Sequence, residues 1–273
     1  MNSKNSILLV DPDFDPNTAE NCNLLIKITA DSLSYAIIDK GSNEIKAVYD
    51  QQECINTIQT LANKTKTDSY LMLSFKEIKI SVYTENSIAV PNELFDADNL
   101  NQYANYFGDD QGMNLYTQPA NNFGLTSIFT LSKFVDQTLA SSLAHGKLFD
   151  HTAPLHALAK EKNTALLLDF SATSFNVLYI KDEKLVFQNY YQIDNSEELN
   201  YYVLFIINQL KINTTETEIS LSGIIHKEDA NYTCLAKYFK IINFGNADTQ
   251  NHKILEDMPA HYYSSLLALD LCE

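Results

Sequence analysis

The side chains best able to do chemistry fall in two short stretches written in one pattern, 142 positions apart. LLIKITADS, residues 24–32, aligns with LLLDFSATS, residues 166–174. The shift sets Lys27 against Asp169, an ammonium against a carboxylate. It also sets Thr29, Asp31 and Ser32 against Ser171, Thr173 and Ser174, so each stretch ends in a turn with hydroxyls and no glycine. Other candidates lack a supporting pattern. The six histidines (145, 151, 156, 226, 252 and 261) never fall in HExxH or a paired metal spacing, so no metal site is expected. Ser222 lacks the GxSxG surround of a nucleophile elbow. Asp11, Asp13 and Asp15 imitate the start of a calcium loop, but Pro16 and Cys22 stand where glycine and glutamate are required.

What positions the two turns is a longer repeat. Residues 24–50 and 165–192 each read as three short strands in a meander. Leu25 aligns with Leu167, Ile38 with Ile180 and, after one deletion, Tyr49 with Tyr190. A helical segment follows each copy. In the first, Ile55, Ile58, Leu61 and Ala62 keep helical spacing. In the second, Asn195 caps a helix with Glu198 at the N3 position, and Leu199, Val203, Ile206 and Leu210 lie on its apolar stripe. Strand 218–225, a helix carrying Tyr232, Leu235, Ala236 and Phe239, strand 241–244 and a helix after Pro259 complete the order βββαβαβα. Three antiparallel strands followed by helix-connected parallel strands describe a ribonuclease-H-like mixed sheet.

The first half reads in the same order. Strand 69–75, a hairpin of 78–83 and 87–90, and an amphipathic helix on Leu100, Tyr103, Ala104 and Phe107, ended by Gly108, come first. Strands 115–118 and 123–129, helix 133–145 and a short helix 154–162 follow. The expected fold is α/β: two tandem ribonuclease-H-like domains, 1–150 and 151–273. The first carries an acidic arm over 1–23 and an insertion around 76–123.

Composition narrows the function classes. At 273 residues, 45% hydrophobic and 20% charged, the chain reads as an ordinary globular protein. Its net charge of -16 argues against nucleic acid as a partner. No apolar run approaches the ~18 residues of a membrane span, and 7–10 is too short for a secretory leader. Cys22, Cys54, Cys234 and Cys272 show no CxxC spacing and read as free thiols of a reducing, cytoplasmic compartment. All 19 basic residues are lysine, so bidentate clamping of phosphate by arginine is excluded from within the chain. Glycine, which brings backbone N–H groups close to phosphates, numbers only seven.

Two such modules in tandem resemble the actin, sugar-kinase and Hsp70 ATPase superfamily. More narrowly, the chain resembles an uncharacterised bacterial family with a duplicated actin-like ATPase fold. DPDFD at 11–15, LLIKITADSLSYAIID at 24–39, IAVPNELFD at 88–96, LSG at 221–223 and the closing PAHYYSSLLALDLCE carry that resemblance. It implies ATP and magnesium between the domains, with phosphates on the first hairpin of each half and adenosine at a glycine-rich strand end of the second. On that pattern Asp169 stands at the aspartate that orients magnesium or the attacking water, and Ser171, Thr173 and Ser174 replace the glycines of its turn. Lys27 replaces the other aspartate; it cannot coordinate magnesium but can pair with a phosphate as a point charge. Thr29 and Ser32 fall in the first turn, where Asp31 would repel phosphate. Gly223 is the single glycine where the adenosine site has two.

Structural readings stand beside each of these. Asp169 can equally bond its own loop, Lys27 can be a strand residue with a solvated head, and Gly223 can serve close backbone packing. DPDFD, after 7–10, also mimics the DxD of haloacid-dehalogenase phosphatases, with Gly108-Asp109-Asp110 as a metal motif. Three degraded positions in one cleft favour a non-catalytic or weakly nucleotide-binding scaffold that acts through protein partners or self-association. The alternative is an ATP-dependent phosphotransferase or ATPase using Asp169; the third is a phosphatase using Asp11 and Asp13.

Overall fold

A computed structural model describes residues 5–107, 113–245 and 253–273. The chain opens with β1 (Ser6–Val10), then the meander β2 (Cys22–Ile28), β3 (Leu33–Asp39) and β4 (Ile45–Gln51). Helix α1 (Thr57–Thr67) leads to β5 (Glu77–Val82). An inserted unit follows: β6 (Ser87–Pro91), α2 (Leu100–Ala104), β7 (Met113–Ala120) and β8 (Leu125–Ser132). Helix α3 (Lys133–Ser142) and β9 (Lys147–Asp150) close the first half, and α4 (Ala153–Leu158) stands at the junction. The second half runs β10 (Ala165–Phe170), β11 (Ser174–Lys181), β12 (Lys184–Gln192), α5 (Ser196–Leu210), β13 (Glu218–Gly223), α6 (Ala230–Ala236), β14 (Ile242–Phe244) and α7 (Ser264–Ala268).

The two main sheets have the orders β1-β4-β3-β2-β5-β9 and β12-β11-β10-β13-β14, so the second repeats the first without its edge strand. Register follows the duplication closely. Leu25 faces Ala36 and Leu167 faces Leu178; Lys27 faces Ser34 and Asp169 faces Asn176. Both meanders slip at the same place, between Ile37 and Ile38 and between Tyr179 and Ile180. The turn after the second strand is two residues shorter in the second copy, so Ser34 pairs with Asp50 while Asn176 pairs with Tyr190. The expected match of Tyr49 with Tyr190 is therefore corrected: Tyr190 stands where the first half has Asp50.

Each sheet buries both faces, which explains its near-continuous apolar strands. Leu24, Ile26 and Tyr35 pack with Leu61 of α1 and Leu139 of α3. Leu168, Phe175 and Val177 pack with Leu199 and Val203 of α5 and Leu235 of α6. The opposite faces are covered by exchange. Leu155 of α4 lies on the second sheet with Leu167 and Leu178. Leu266 and Leu267 of α7 lie on the first sheet with Leu25, Ile38 and Phe149. Helix α5 starts where Asn195 accepts from the N–H groups of Glu197 and Glu198 at 2.9 and 3.1 Å. Glu198 reaches back to the N–H of Asp194, one residue before the cap.

Five expectations need correction. The acidic arm contains β1, which pairs antiparallel with β4 as an extra edge strand. Residues 69–75 are not a strand; Asp68 accepts from the N–H of Tyr70 at 3.0 Å and from Tyr35 Oη at 2.9 Å, turning the chain. Residues 78–83 and 87–90 are not a hairpin, because β5 runs parallel to β2 while β6 joins β8 and β7 in a separate three-stranded sheet. The inserted unit thus extends through β8, and β5 belongs to the main sheet. The helix at 100–107 is a single turn and a half at Leu100–Ala104. Gly108, Asp109 and Asp110 lie outside the described residues. Among the described residues no helix is long and apolar enough to cross a membrane.

Candidate functional site

The duplication places the β2–β3 and β10–β11 turns against one another. Each is closed by the same backbone bond: Thr29 N–H donates to Ser32 O at 3.0 Å, and Ser171 N–H to Ser174 O at 2.9 Å. Hydroxyls complete the loops, with Thr29 Oγ1 2.7 Å from Ser32 Oγ and the Ser171 and Ser174 hydroxyls in contact. These are the self-bonding turns that short polar residues form without glycine.

Between the turns, equivalent residues meet. Lys27 Nζ donates to Asp169 Oδ2 at 2.5 Å and to Ser265 Oγ at 2.6 Å. The Asp169 side chain is 2% exposed and that of Lys27 12%, so the pair is shut away from water. Ser222 Oγ donates to the other oxygen of Asp169 at 2.9 Å. Four residues along each turn, the contact repeats. Asp31 accepts from the N–H and hydroxyl of Thr173 at 2.9 and 2.7 Å, and from Ser171 Oγ at 2.9 Å. The carboxylate expected to repel phosphate thus occupies the facing turn itself.

Burial pushes the Asp31 carboxyl up, but donors from Thr173, Thr29 and Ser171 outweigh it and hold the group below its ordinary range. A folded-state pKa below the unfolded one contributes stability that is complete above the unfolded value of ~3.9 and is lost as pH falls through the folded value. Urea unfolding of wild type and Asp31→Asn should therefore differ most near neutrality, and the gap should narrow steadily below about pH 4. A constant gap across that window would mean that the bonds between the turns do not depend on the carboxylate's charge.

Lys27, Ser32, Ser171 and Gly223 line one cavity of about 30 Å³, room for about two waters. Thr29, Thr173 and Ser174 are engaged within and between the turns. Gly223, at φ +78°, packs so closely that an added Cβ would meet Phe170 O at 2.0 Å. Its N–H donates to His261 O. Sequence reasoning missed Ser265, Tyr262, Tyr263 and Asp50, which share this cavity. The α7 residues gave no signal because the helix was expected to stay with the second half. Burial raises the Asp50 carboxyl, with Gln52 donating to it at 2.8 Å.

The phosphatase expectation is not supported by placement. DPDFD follows an edge strand paired antiparallel, and Asp11 is tied to the N–H of Asp13 and to Lys46 Nζ, both at 3.0 Å. No group of three or more potential metal ligands occurs among the described residues. All four cysteines are buried free thiols.

Comparison with known proteins bears on the fold. A Bacteroides thetaiotaomicron protein with an actin-like ATPase fold and unknown function superposes with TM-score 0.77 at 15% identity, covering 95% of this chain and 99% of that one. The PilM–PilN type IV pilus biogenesis complex gives TM-score 0.65 at 14% identity, covering 91% and 97%. The ethanolamine utilization protein EutJ of Carboxydothermus hydrogenoformans gives 0.52 at 8%, covering 97% and 93%. No curated protein matches the chain. The architecture is the two-domain actin-like fold, as the strand order and duplication lead one to expect. The chain itself matches, over residues 11–242, the family described as Protein of unknown function (DUF3822), and it belongs to that family.

Proposed function

We propose that this protein is a non-catalytic actin-like scaffold that works through a protein partner or a second copy of itself, with its interdomain cleft locked by its own side chains. The observation that carries this reading is the Lys27–Asp169 ion pair. Lys27 supplies the positive charge that a metal or a phosphate-binding group would otherwise bring, and Asp169 answers it directly at 2.5 Å. With about 30 Å³ beside them, neither is free to meet a nucleotide. Buried pairs of this kind hold one arrangement of their surroundings more than they add net stability. The reading carries with it a division at 1–150 and 151–273, and a cytoplasmic setting with thiols kept reduced. A neighbour of the same fold, PilM, was solved in complex with PilN, which is in keeping with a partner-binding role.

Calorimetric titration with Mg-ATP tests it. Wild type and Asp169→Ala should both give only heats of dilution at millimolar nucleotide. Micromolar binding to wild type that disappears in Asp169→Ala would sink the scaffold reading and establish the alternative, an ATPase or phosphotransferase whose cleft opens at the Lys27–Asp169 pair.

A further inference from the structure

A cavity of about 270 Å³ lies where β5 and β9 end against β12 and the inserted sheet. Three aromatic rings form its wall: Tyr83 and Tyr190 with centroids 4.3 Å apart, and His151 at 5.3 Å from the first and 5.8 Å from the second. Tyr83 comes from the first half, Tyr190 from the second and His151 from the junction between them, so an occupant would touch both halves. At this size the space is below the roughly 300–1,000 Å³ of sites for drug-sized ligands. It suits the head of one long side chain or a small molecule of that bulk.

The electrostatics select among such groups. Ser87 and Thr152 line the cavity, and both donate their hydroxyls to Asp150, each at 2.8 Å. Asp150 also accepts from the N–H groups of Thr152 and Ala153 at 3.0 and 3.1 Å, and from the Ser127 hydroxyl. Burial pushes the Asp150 carboxyl up, but the neighbouring His151 and His156 and these donors outweigh it and hold the group below its ordinary range. Among the described residues Asp150 makes no ion pair; burial holds the nearby His156 below its ordinary range, and Lys79 and Lys160 lie in a separate cavity on the other side of Asp150. Burial holds the His151 imidazole below its ordinary range, so it is neutral near pH 7, and its Nδ1 is buried without a hydrogen-bond partner. Glu85 stands exposed among the lining residues, which include no lysine. Aromatic rings, the exposed Glu85 carboxylate and the buried Asp150 behind the lining hydroxyls together attract cations and disfavour anions.

We infer that this cavity binds an organic cation, a primary ammonium or guanidinium group, against the wall formed by Tyr83, Tyr190 and His151 and over the hydroxyls that lead to Asp150. The chain has no arginine, so a guanidinium would have to come from another molecule. The inference stands whether or not the cleft at Lys27 admits a nucleotide, and its test involves none of the cleft residues.

Chemical-shift titration of the full chain with butylammonium and methylguanidinium chlorides, against N-butylurea as neutral control and butyrate as anion, decides it. Saturable binding of the cations alone is expected, weakened about tenfold in Tyr190→Leu and a few-fold in Glu85→Gln, in line with the loss of one aromatic face or one nearby charge. Asp150→Asn should abolish it; if that variant does not fold, Tyr83→Leu and Glu85→Gln still carry the decision. Capped arginine amide binding more tightly than methylguanidinium identifies a partner's side chain as the source of the cation. The reverse order identifies a free small molecule. Equal binding of N-butylurea, indifference to Tyr190→Leu, or absence of saturable binding by either cation overturns the inference.

Discussion

Lys27→Met should lower the unfolding free energy by about 3–5 kcal/mol, the cost of leaving a buried carboxylate without its counter-charge. Asp169 keeps only the hydroxyl of Ser222 in that variant, and its side chain is 2% exposed. The double variant Lys27→Met with Asp169→Leu should recover most of the loss, because an apolar pair of similar bulk carries no desolvation cost. Denaturant titrations of the wild type, both single variants and the double variant form the cycle that measures the coupling. A loss of under about 1 kcal/mol in both single variants would mean that water reaches the pair, as at exposed ion pairs. The cleft would then be open in solution, against the scaffold reading.

Gly223→Ala should be comparably damaging, by about 3–5 kcal/mol, from left-handed backbone strain together with a clash that cannot relax. The new Cβ would fall 2.0 Å from Phe170 O and 2.8 Å from Phe170 N, both main-chain atoms of the neighbouring strand. Gly124 provides the control. Its φ is +63°, yet no atom lies within 4 Å of an added Cβ, so Gly124→Ala should cost only the strain of about 1–2 kcal/mol. Thermal or denaturant unfolding of the two variants separates the effects. Equal losses would show that crowding by Phe170 contributes nothing.

Much of this architecture was legible because the duplication is written in the residues themselves. Apolar strands, the Asn195 cap and the spacing of α5 each follow from local rules. The opposition of Lys27 and Asp169 was legible as equivalence but not as contact. Equivalent residues touch only when they lie near the axis relating the two halves, and no local pattern reports distance from that axis. Asp31 and Thr173 show the same effect, since a carboxylate expected to repel a ligand instead accepts from the facing turn. The edge strand β1 was hidden by its polar flanks. Residues 69–75 misled because Leu71 is buried as a core anchor from an irregular turn, not from a sheet. Ser265 was missed for a topological reason: helical periodicity identifies an apolar face but not the sheet on which it will lie.

The exchange of α4 and α7 also bears on how the molecule is made. Ribosomes deliver the chain from its amino terminus, and domains ordinarily fold as they emerge. Here Leu25, Ile38 and Phe149 receive their cover from Leu266 and Leu267, which are made after the whole second sheet. One face of the first sheet therefore stays unprotected until residues 264–268 have been made. The second sheet has no such delay, because α4 is already synthesised when β10 appears. During synthesis the first of the two sheets is thus sealed after the second, and its exposed apolar surface is where a chaperone would engage the nascent protein.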